Sequence, residues 1–278
     1  MNINIFEYYD KTRDYNMNVF SYIPKGNKED MKIIFVMSGC LRDALNYLKN
    51  WIEVADKYNY IIVAPEFDKD HYSIAEHEYG NLIDIEYDYS SQDIYIPYMK
   101  YGKTIKDKSE WIYDIIDNIY LKFIKENTLK NDGFIIFGHS SGAQFVHKYL
   151  MLGDSKYCKL YLAANAGLYT FFNEEKDYPY GIKNLNEYKN IIDKSLSKKA
   201  YIMIGDQDIT TDDLNHMEED KEEGLTRLER GTNYYNIAKE YSNKNNIDFN
   251  WNLIIMPNVN HDNKKVVPYA CEIINKEV

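Results

Sequence analysis

The sequence predicts an α/β protein with a mainly parallel sheet and helices on both faces. Short apolar runs rich in β-branched residues alternate with longer segments of helical periodicity, and this alternation is typical of sheets whose strands are connected by helices. The N-terminal runs INIFEYY and MNVFSYI alternate by two instead, with a short charged connection between them. That pattern predicts an antiparallel hairpin at the edge of the sheet.

The elements follow in order along the chain. Buried strands are predicted at 32–37, 60–64, 134–138, 159–164, 200–205 and 251–256. Helices are predicted at 44–58, 109–126, 141–152 and 232–244, with a last helix after the final strand. No internal repeat, long linker or low-complexity tract interrupts the chain, so we expect one domain over 1–278.

Two stretches do not fit this repeating unit. The segments at about 66–106 and 167–197 are polar, rich in aromatic residues and too long for ordinary connections. Long loops in such folds usually carry binding surfaces. We therefore expect a pocket at these two insertions.

Composition excludes several classes of function. The formal net charge is −11, which repels phosphate backbones and anionic membrane surfaces, so neither nucleic acid nor a membrane is an expected partner. The 3 cysteines are scattered and lack the spacing of a disulfide framework or zinc site. No signal-peptide pattern or membrane-length apolar run is present, and we expect a cytoplasmic protein. The sequence indicates no oligomeric state.

The strongest local signal is GHSSG at 138–142, directly after the strand at 134–138 and directly before the helix at 141–152. A sharp strand-to-helix turn would expose the hydroxyl of Ser140, and small flanking residues would let neighbouring backbone approach. The alternative is an ordinary glycine-flanked turn. The context favours Ser140 as a nucleophile, with His139 packed under the turn.

A serine nucleophile needs an acid and a base, in that chain order for this type of turn. The GDQD loop after the strand at 200–205 offers Asp206 and Asp208, of which we favour Asp208 because it lies further beyond the strand end. His261 follows the strand at 251–256. All these residues are expected at the carboxyl ends of parallel strands, where sites of open α/β sheets form.

The remaining requirement is a pair of backbone N–H groups for the oxyanion. Ser141 opens the helix after the nucleophile and offers one. The second is expected from Cys40 or Leu41, in the loop after the strand at 32–37. We expect the Cys40 side chain to be a small buried thiol and not a nucleophile, because a complete serine set exists elsewhere.

The GHSSG, GDQD and NVNHD segments resemble those of the α/β-hydrolase superfamily over nearly the whole chain. More narrowly, SGCLRDALNY, APEF, GHSSGAQFVHKYL, NAGLYT, PYGI and LTRLERG resemble a branch of serine hydrolases near the polyhydroxybutyrate depolymerases and feruloyl esterases. The resemblance implies an eight-stranded, mostly parallel sheet and a triad of Ser140, Asp208 and His261. Many members have His-Gly in the oxyanion loop, whereas this chain has Ser38-Gly39. This difference affects the expected loop geometry and substrate more than the expected mechanism.

The leading hypothesis is a serine esterase that cleaves a small-molecule carboxylic ester through an acyl-enzyme. A serine peptidase or amidase would use the same intermediate, and a non-catalytic binding protein could retain the fold. No cofactor is expected, since phosphate-binding loops are absent. No metal is expected either, because the carboxylates of the acidic segment at 212–223 lack the spacing of a calcium loop.

Three side chains are candidates for the substrate pocket. Arg42 either pairs with a nearby acid or reaches a substrate carboxylate. Tyr169 and Phe171 follow a strand end, so they either roof the site or pack the second insertion onto the domain body.

Overall fold

The structure is a computed structural model, and it describes residues 3–26, 31–88, 98–211, 214 and 218–278. Asp212 and Asp213 of the acidic segment and positions 89–97 of the first insertion lie outside these ranges. No helix among the described residues is long and apolar enough to cross a membrane.

The central sheet has eight strands in the spatial order β1-β2-β4-β3-β7-β8-β9-β10. The first two form the predicted hairpin, and β2 is antiparallel to β4. The neighbouring strands from β4 to β10 are all paired in parallel. The strands are β1 (Ile3–Asp10), β2 (Tyr15–Tyr22), β3 (Lys32–Met37), β4 (Tyr60–Pro65), β7 (Phe134–His139), β8 (Cys158–Ala164), β9 (Ala200–Gly205) and β10 (Trp251–Met256). This architecture confirms the predicted fold class.

The connections leave the centre of the sheet in opposite directions. The chain passes from β3 outward to β4, later returns to β7 on the other side of β3, and then continues to β8. The direction of the connections therefore switches at the carboxyl ends of β3 and β7, and such switch points are where open α/β sheets bind their ligands. The predicted oxyanion loop follows β3 and the GHSSG turn follows β7.

Helices cover both faces of the sheet. They are α1 (Ala44–Tyr58), α2 (Ile74–His77), α3 (Asp114–Glu126), α4 (Ser141–Leu152), α5 (Lys189–Ser195), α6 (Glu218–Glu223), α7 (Arg227–Asn245) and α8 (Asn263–Glu277). Helices α1 and α4 have the predicted limits. Helix α7 begins five residues before the predicted start at 232, because Thr226 caps it by accepting a hydrogen bond from the Glu229 N–H at 3.2 Å.

Helix α3 begins at Asp114, later than the predicted start at 109. The residues before it form a 3-10 turn at Lys108–Glu110, and Asp107 accepts the Ser109 N–H at 2.8 Å. Asp107 thus starts this short turn, and the extended backbone of Trp111 (φ −69°, ψ 148°) ends it before α3 begins. The predicted end of this helix at 126 is confirmed, whereas its predicted start at 109 is wrong.

The two faces of the sheet form separate apolar cores. In β3, Ile33 and Phe35 point to one face, whereas Ile34 and Val36 point to the other. The first face packs against α3, α4 and α7, and the second against α1 and α8. Because side chains alternate along a strand, one apolar run of six residues supplies both cores.

The two insertions contain structure of their own and contact each other. The first includes α2 and a two-stranded hairpin of β5 (Ile85–Asp88) and β6 (Tyr98–Tyr101). The second includes a 3-10 segment at Lys183–Tyr188 and α5. The Tyr178 hydroxyl donates to the Tyr79 carbonyl at 2.8 Å, and Asn184 donates to the Lys103 carbonyl at 3.0 Å. These bonds join the insertions into one layer over the first face.

Candidate active site

Ser140 lies in a strained turn between β7 and α4. Its backbone angles are φ 59° and ψ −126°, a conformation that a non-glycine residue adopts only where its surroundings hold it. A side-chain carbon at Gly138 would lie 2.1 Å from the Gly142 carbonyl oxygen, and one at Gly142 would lie 2.2 Å from the Met37 carbonyl oxygen. Both glycines are therefore required for the close packing that presents Ser140.

The structure brings Ser140, Asp208 and His261 together from three strand ends. His261 Nε2 lies 2.9 Å from Ser140 Oγ, and His261 Nδ1 lies 2.7 Å from Asp208 Oδ2. Both distances are within hydrogen-bond range. The imidazole thus bridges a hydroxyl and a carboxylate, which is the arrangement that lets a serine lose its proton as it attacks.

Of the two candidate acids, the structure places only Asp208 against the histidine. Asp208 is buried, and its other oxygen lies 3.4 Å from Arg227 Nη1. Asp206 instead accepts a hydrogen bond from the Asn258 N–H at 2.7 Å. Asp206 therefore joins the loops after β9 and β10 and faces away from the imidazole.

Those two loops are held together by backbone as well as side-chain bonds. Gln207 N–H donates to the Val259 carbonyl at 2.9 Å. Asn165, at the end of β8, accepts the Gly205 N–H at 2.8 Å and donates to the Asn260 carbonyl at 3.4 Å. Sequence reasoning did not select Asn165, although its position directly after a buried strand was a signal that could have found it.

The predicted oxyanion loop lies beside Ser140. A side-chain carbon at Gly39 would sit 3.5 Å from Ser140 Cβ. Arg42 N–H donates to the Gly39 carbonyl at 2.9 Å, which closes a turn with Cys40 and Leu41 at its two central positions. Ser141 is the first residue of α4, where a backbone N–H has no acceptor within the helix. The turn does not distinguish Cys40 from Leu41 as the second donor.

The side chains of this turn differ from the expectation of a buried thiol. Cys40 is exposed, because it lies at the tip of the turn and not in the packed layer below. Leu41 is 78% exposed.

Arg42 is not at the mouth of the site. It is buried, and its guanidinium donates to the carbonyls of Phe67 at 2.8 Å and of Tyr72 and Ser73 at 3.4 Å each. The substrate-carboxylate alternative is therefore wrong for this geometry, because the side chain points into the first insertion. The pairing alternative holds in modified form, since the main partners are carbonyl groups.

Tyr169 and Phe171 are core residues and not an exposed roof. Tyr169 has 0% exposure, and its ring stacks on Tyr234 of α7 at a centroid distance of 4.6 Å. Phe171 meets the same Tyr234 edge-on at 5.8 Å. In this position the two side chains pack the second insertion onto the domain body, which is the alternative that the sequence left open.

A buried polar cluster under α4 was missed by sequence reasoning. Glu78 accepts hydrogen bonds from Ser141 Oγ at 2.6 Å and from Gln144 Nε2 at 3.1 Å. Burial raises the pKa of Glu78, and burial lowers the pKa of Lys148, one turn further along, to about 7. The cluster fixes the first turn of α4, and thereby the N–H of Ser141, to the first insertion.

No protein-family model and no curated protein sequence matches the chain. Solved structures do match over nearly its whole length. Poly(aspartic acid) hydrolase-1 from Sphingomonas sp. KT-1 is 26% identical, with a TM-score of 0.86 and 98% of each chain covered. A poly(3-hydroxybutyrate) depolymerase from Bordetella parapertussis is 23% identical, with a TM-score of 0.84 over 99% of this chain and 90% of its own.

A more distant match is an S-formylglutathione hydrolase from Agrobacterium tumefaciens, at 14% identity and a TM-score of 0.58 over 100% of this chain and 97% of its own. These neighbours share the fold that the resemblance to the α/β-hydrolases implies, and a polyhydroxybutyrate depolymerase is among them. Together with the geometry at Ser140, they define the chain as a hydrolytic enzyme of the serine hydrolase class.

Proposed function

We propose that this protein hydrolyses carboxylic esters through an acyl-enzyme formed on Ser140. The observation that carries the proposal is the position of the His261 imidazole, 2.9 Å from Ser140 Oγ on one side and 2.7 Å from Asp208 on the other. A serine hydroxyl is a weak nucleophile unless a base takes its proton. The geometry supplies that base and a carboxylate that orients it.

In the proposed reaction, His261 Nε2 takes the Ser140 proton while Oγ bonds to the substrate carbonyl carbon. The imidazolium then gives the proton to the leaving alcohol as the carbon–oxygen bond breaks, which leaves an acyl-enzyme. Water repeats the sequence and releases the acid. Asp208 holds the proton on Nδ1, so that Nε2 faces Ser140 as an acceptor.

Charge develops on the substrate oxygen in both steps. The Ser141 N–H and the N–H of Cys40 or Leu41 are the proposed donors to this oxyanion. The amino end of α4 adds the positive end of its dipole. The strained backbone of Ser140 maintains this alignment before substrate arrives, because the turn is packed on both sides by glycine contacts.

An amidase on the same site is the second candidate. One structural neighbour is a hydrolase of poly(aspartic acid), a polymer linked by amide bonds, whereas another acts on poly(3-hydroxybutyrate), a polyester. Ester cleavage is preferred because an ester carbonyl is less stabilised by resonance than an amide carbonyl and is attacked more readily by a serine oxygen. A small-molecule ester as substrate and a cytoplasmic location both stay predictions.

The test is covalent labelling with a fluorophosphonate probe followed by mapping of the modified peptide. We expect one modified residue, Ser140, and no labelling of Ser140→Ala. That variant should fold normally and lose on the order of a millionfold in turnover, as other triad losses do. A wild-type protein that folds but takes up no probe would favour the binding-protein alternative instead.

A second comparison separates ester from amide cleavage. Rates on p-nitrophenyl acetate and on amino-acid p-nitroanilides are measured with the same enzyme preparation. We expect the ester to have the larger kcat/KM. A larger value for an anilide would assign the site to an amidase.

A further inference from the structure

A second histidine lies against the candidate base. The rings of His139 and His261 are 4.6 Å apart between centroids, with 37° between their planes. His139 is buried, and its Nδ1 lies 3.1 Å from the hydroxyl of Tyr47 on α1. His139 therefore connects a helix on the second face of the sheet to the histidine that would act as base.

The same hydroxyl contacts the oxyanion loop. A side-chain carbon at Gly39 would lie 2.6 Å from Tyr47 Oη, so glycine is required for this approach. Burial raises the pKa of Tyr47, and a hydrogen bond from the backbone N–H of Gly39 opposes that rise. The Tyr47 hydroxyl thus lies against the Gly39 backbone and within hydrogen-bond distance of His139 Nδ1.

The environment keeps His139 neutral. Burial lowers its pKa well below the ordinary range, and the neighbouring His261 and Arg227 act in the same direction. Its Nδ1 shares one hydrogen bond with the Tyr47 hydroxyl, and its Nε2 is buried without a hydrogen-bond partner among the described residues. A neutral ring at this distance does not repel an imidazolium on His261.

We propose that Tyr47 and His139 are positioning residues, and that the Tyr47 hydroxyl holds the oxyanion loop and the His261 ring in one fixed relation. The proposal rests on the proposed function, since it assigns these residues to the same reaction. Gly39 and His261 follow different strands, β3 and β10, which are separated in the sheet by β7, β8 and β9. The Tyr47 hydroxyl contacts the loop after β3 at Gly39 and reaches His261 through the His139 ring, and both loops have to be aligned in the transition state.

The test compares two tyrosines that each lose one hydroxyl. Tyr47→Phe removes the proposed link. Tyr60→Phe is the matched control, because the Tyr60 hydroxyl donates to Asn275 at 2.6 Å and lies at the amino end of β4, opposite the site. We expect kcat for p-nitrophenyl acetate to fall about tenfold in Tyr47→Phe at unchanged KM, the size expected for one lost hydrogen bond in the transition state. The control should retain its kcat.

A double-mutant cycle asks whether Tyr47 acts through His139. In a His139→Ala background, Tyr47→Phe should cost less than about threefold in kcat, because only the contact of the hydroxyl with Gly39 is then left to lose. Circular dichroism establishes which variants are folded. If the two losses multiply instead, Tyr47 does not work through His139 and the proposal is wrong.

A readout without turnover separates this inference from the proposed function. The low-field NMR resonance of the His261 Nδ1 proton, which is hydrogen-bonded to Asp208, should be sharp in the wild type and in Tyr60→Phe. It should broaden by faster exchange in Tyr47→Phe. Equal spectra and equal kcat in both tyrosine variants would overturn the proposal, whereas failure of fluorophosphonate labelling in the wild type would overturn the proposed function.

Discussion

Two aspartates separated by one residue have different environments in this protein. Asp208 is buried against His261 and Arg227, whereas Asp206 accepts the Asn258 N–H between two loops. Backbone hydrogen bonds fix the course of this loop, because the Gln207 N–H donates to the Val259 carbonyl and the Asp208 N–H donates to the Gly205 carbonyl. The proposed role of Asp208 can therefore be tested with Asp206 as the control.

Asp208→Asn should reduce kcat by about ten-thousandfold, because an asparagine favours the wrong imidazole tautomer. Asp206→Asn is the matched control, with the same chemical change two positions away. It should keep kcat near the wild-type value and lower the free energy of unfolding by about 1 kcal/mol, through loss of charge in one hydrogen bond. Ester hydrolysis and urea unfolding measure the two effects, and the opposite ranking of kcat would assign the acid role to Asp206.

At the scale of elements, the first insertion is attached to the sheet through the loops of the site itself. Arg42 follows the oxyanion loop and bonds three carbonyls of the insertion, and Glu78 of the insertion bonds Ser141 and Gln144 of α4. The insertion thus holds both the loop after β3 and the helix after β7. The folding of the first insertion and the geometry of the proposed oxyanion site therefore depend on each other.

Arg42→Met should lower the free energy of unfolding by about 3 kcal/mol, because it leaves buried carbonyl groups without donors. KM should change equally for neutral and anionic esters, since the guanidinium does not face the substrate side in this structure. Urea unfolding and a comparison of p-nitrophenyl acetate with a succinate monoester measure these quantities. A selective rise in KM for the anionic ester would restore the alternative in which Arg42 binds a carboxylate.

At the scale of the whole molecule, one sheet is shared by two apolar cores. Successive residues of β3 alternate between them, so neither core can lose its packing without exposing the sheet that the other needs. The insertions add to the first core through residues such as Tyr169 and Phe171. This shared sheet is the physical basis for expecting one cooperative domain over 1–278.

Urea unfolding followed by tryptophan fluorescence and by far-ultraviolet circular dichroism should give coincident transitions. The tryptophans report on both faces, because Trp51 lies in the second core and Trp111 and Trp251 lie in the first. A Trp51→Phe variant restricts the fluorescence signal to the first face. After correction for the stability that the substitution itself costs, its urea midpoint should equal that of the wild type. Two separate transitions would show that the insertions or one face form a second unit.

The sequence by itself determined the strands of the central sheet, the limits of α1 and α4 and the GHSSG turn, because these depend on periodicity and glycine spacing within a few residues. It also indicated which strand ends carry Ser140, Asp208 and His261, since parallel strands bring their carboxyl ends to one edge. It could not determine where a loop side chain points. The inward direction of Arg42, the exposure of Cys40 and the burial of Tyr169 are set by contacts with chain segments distant in sequence.

The same reason explains why Tyr47, His139, Glu78 and Asn165 were not selected beforehand. Each is an ordinary residue in its own segment and gains its role only from a partner on another strand end, helix or insertion. Tyr47 looks like one more amphipathic position of α1 until the fold places its hydroxyl beside Gly39 and His139. Sequence patterns thus indicated where the reacting groups stand, and only the tertiary structure decided what holds them there, because long-range packing fixes side-chain direction.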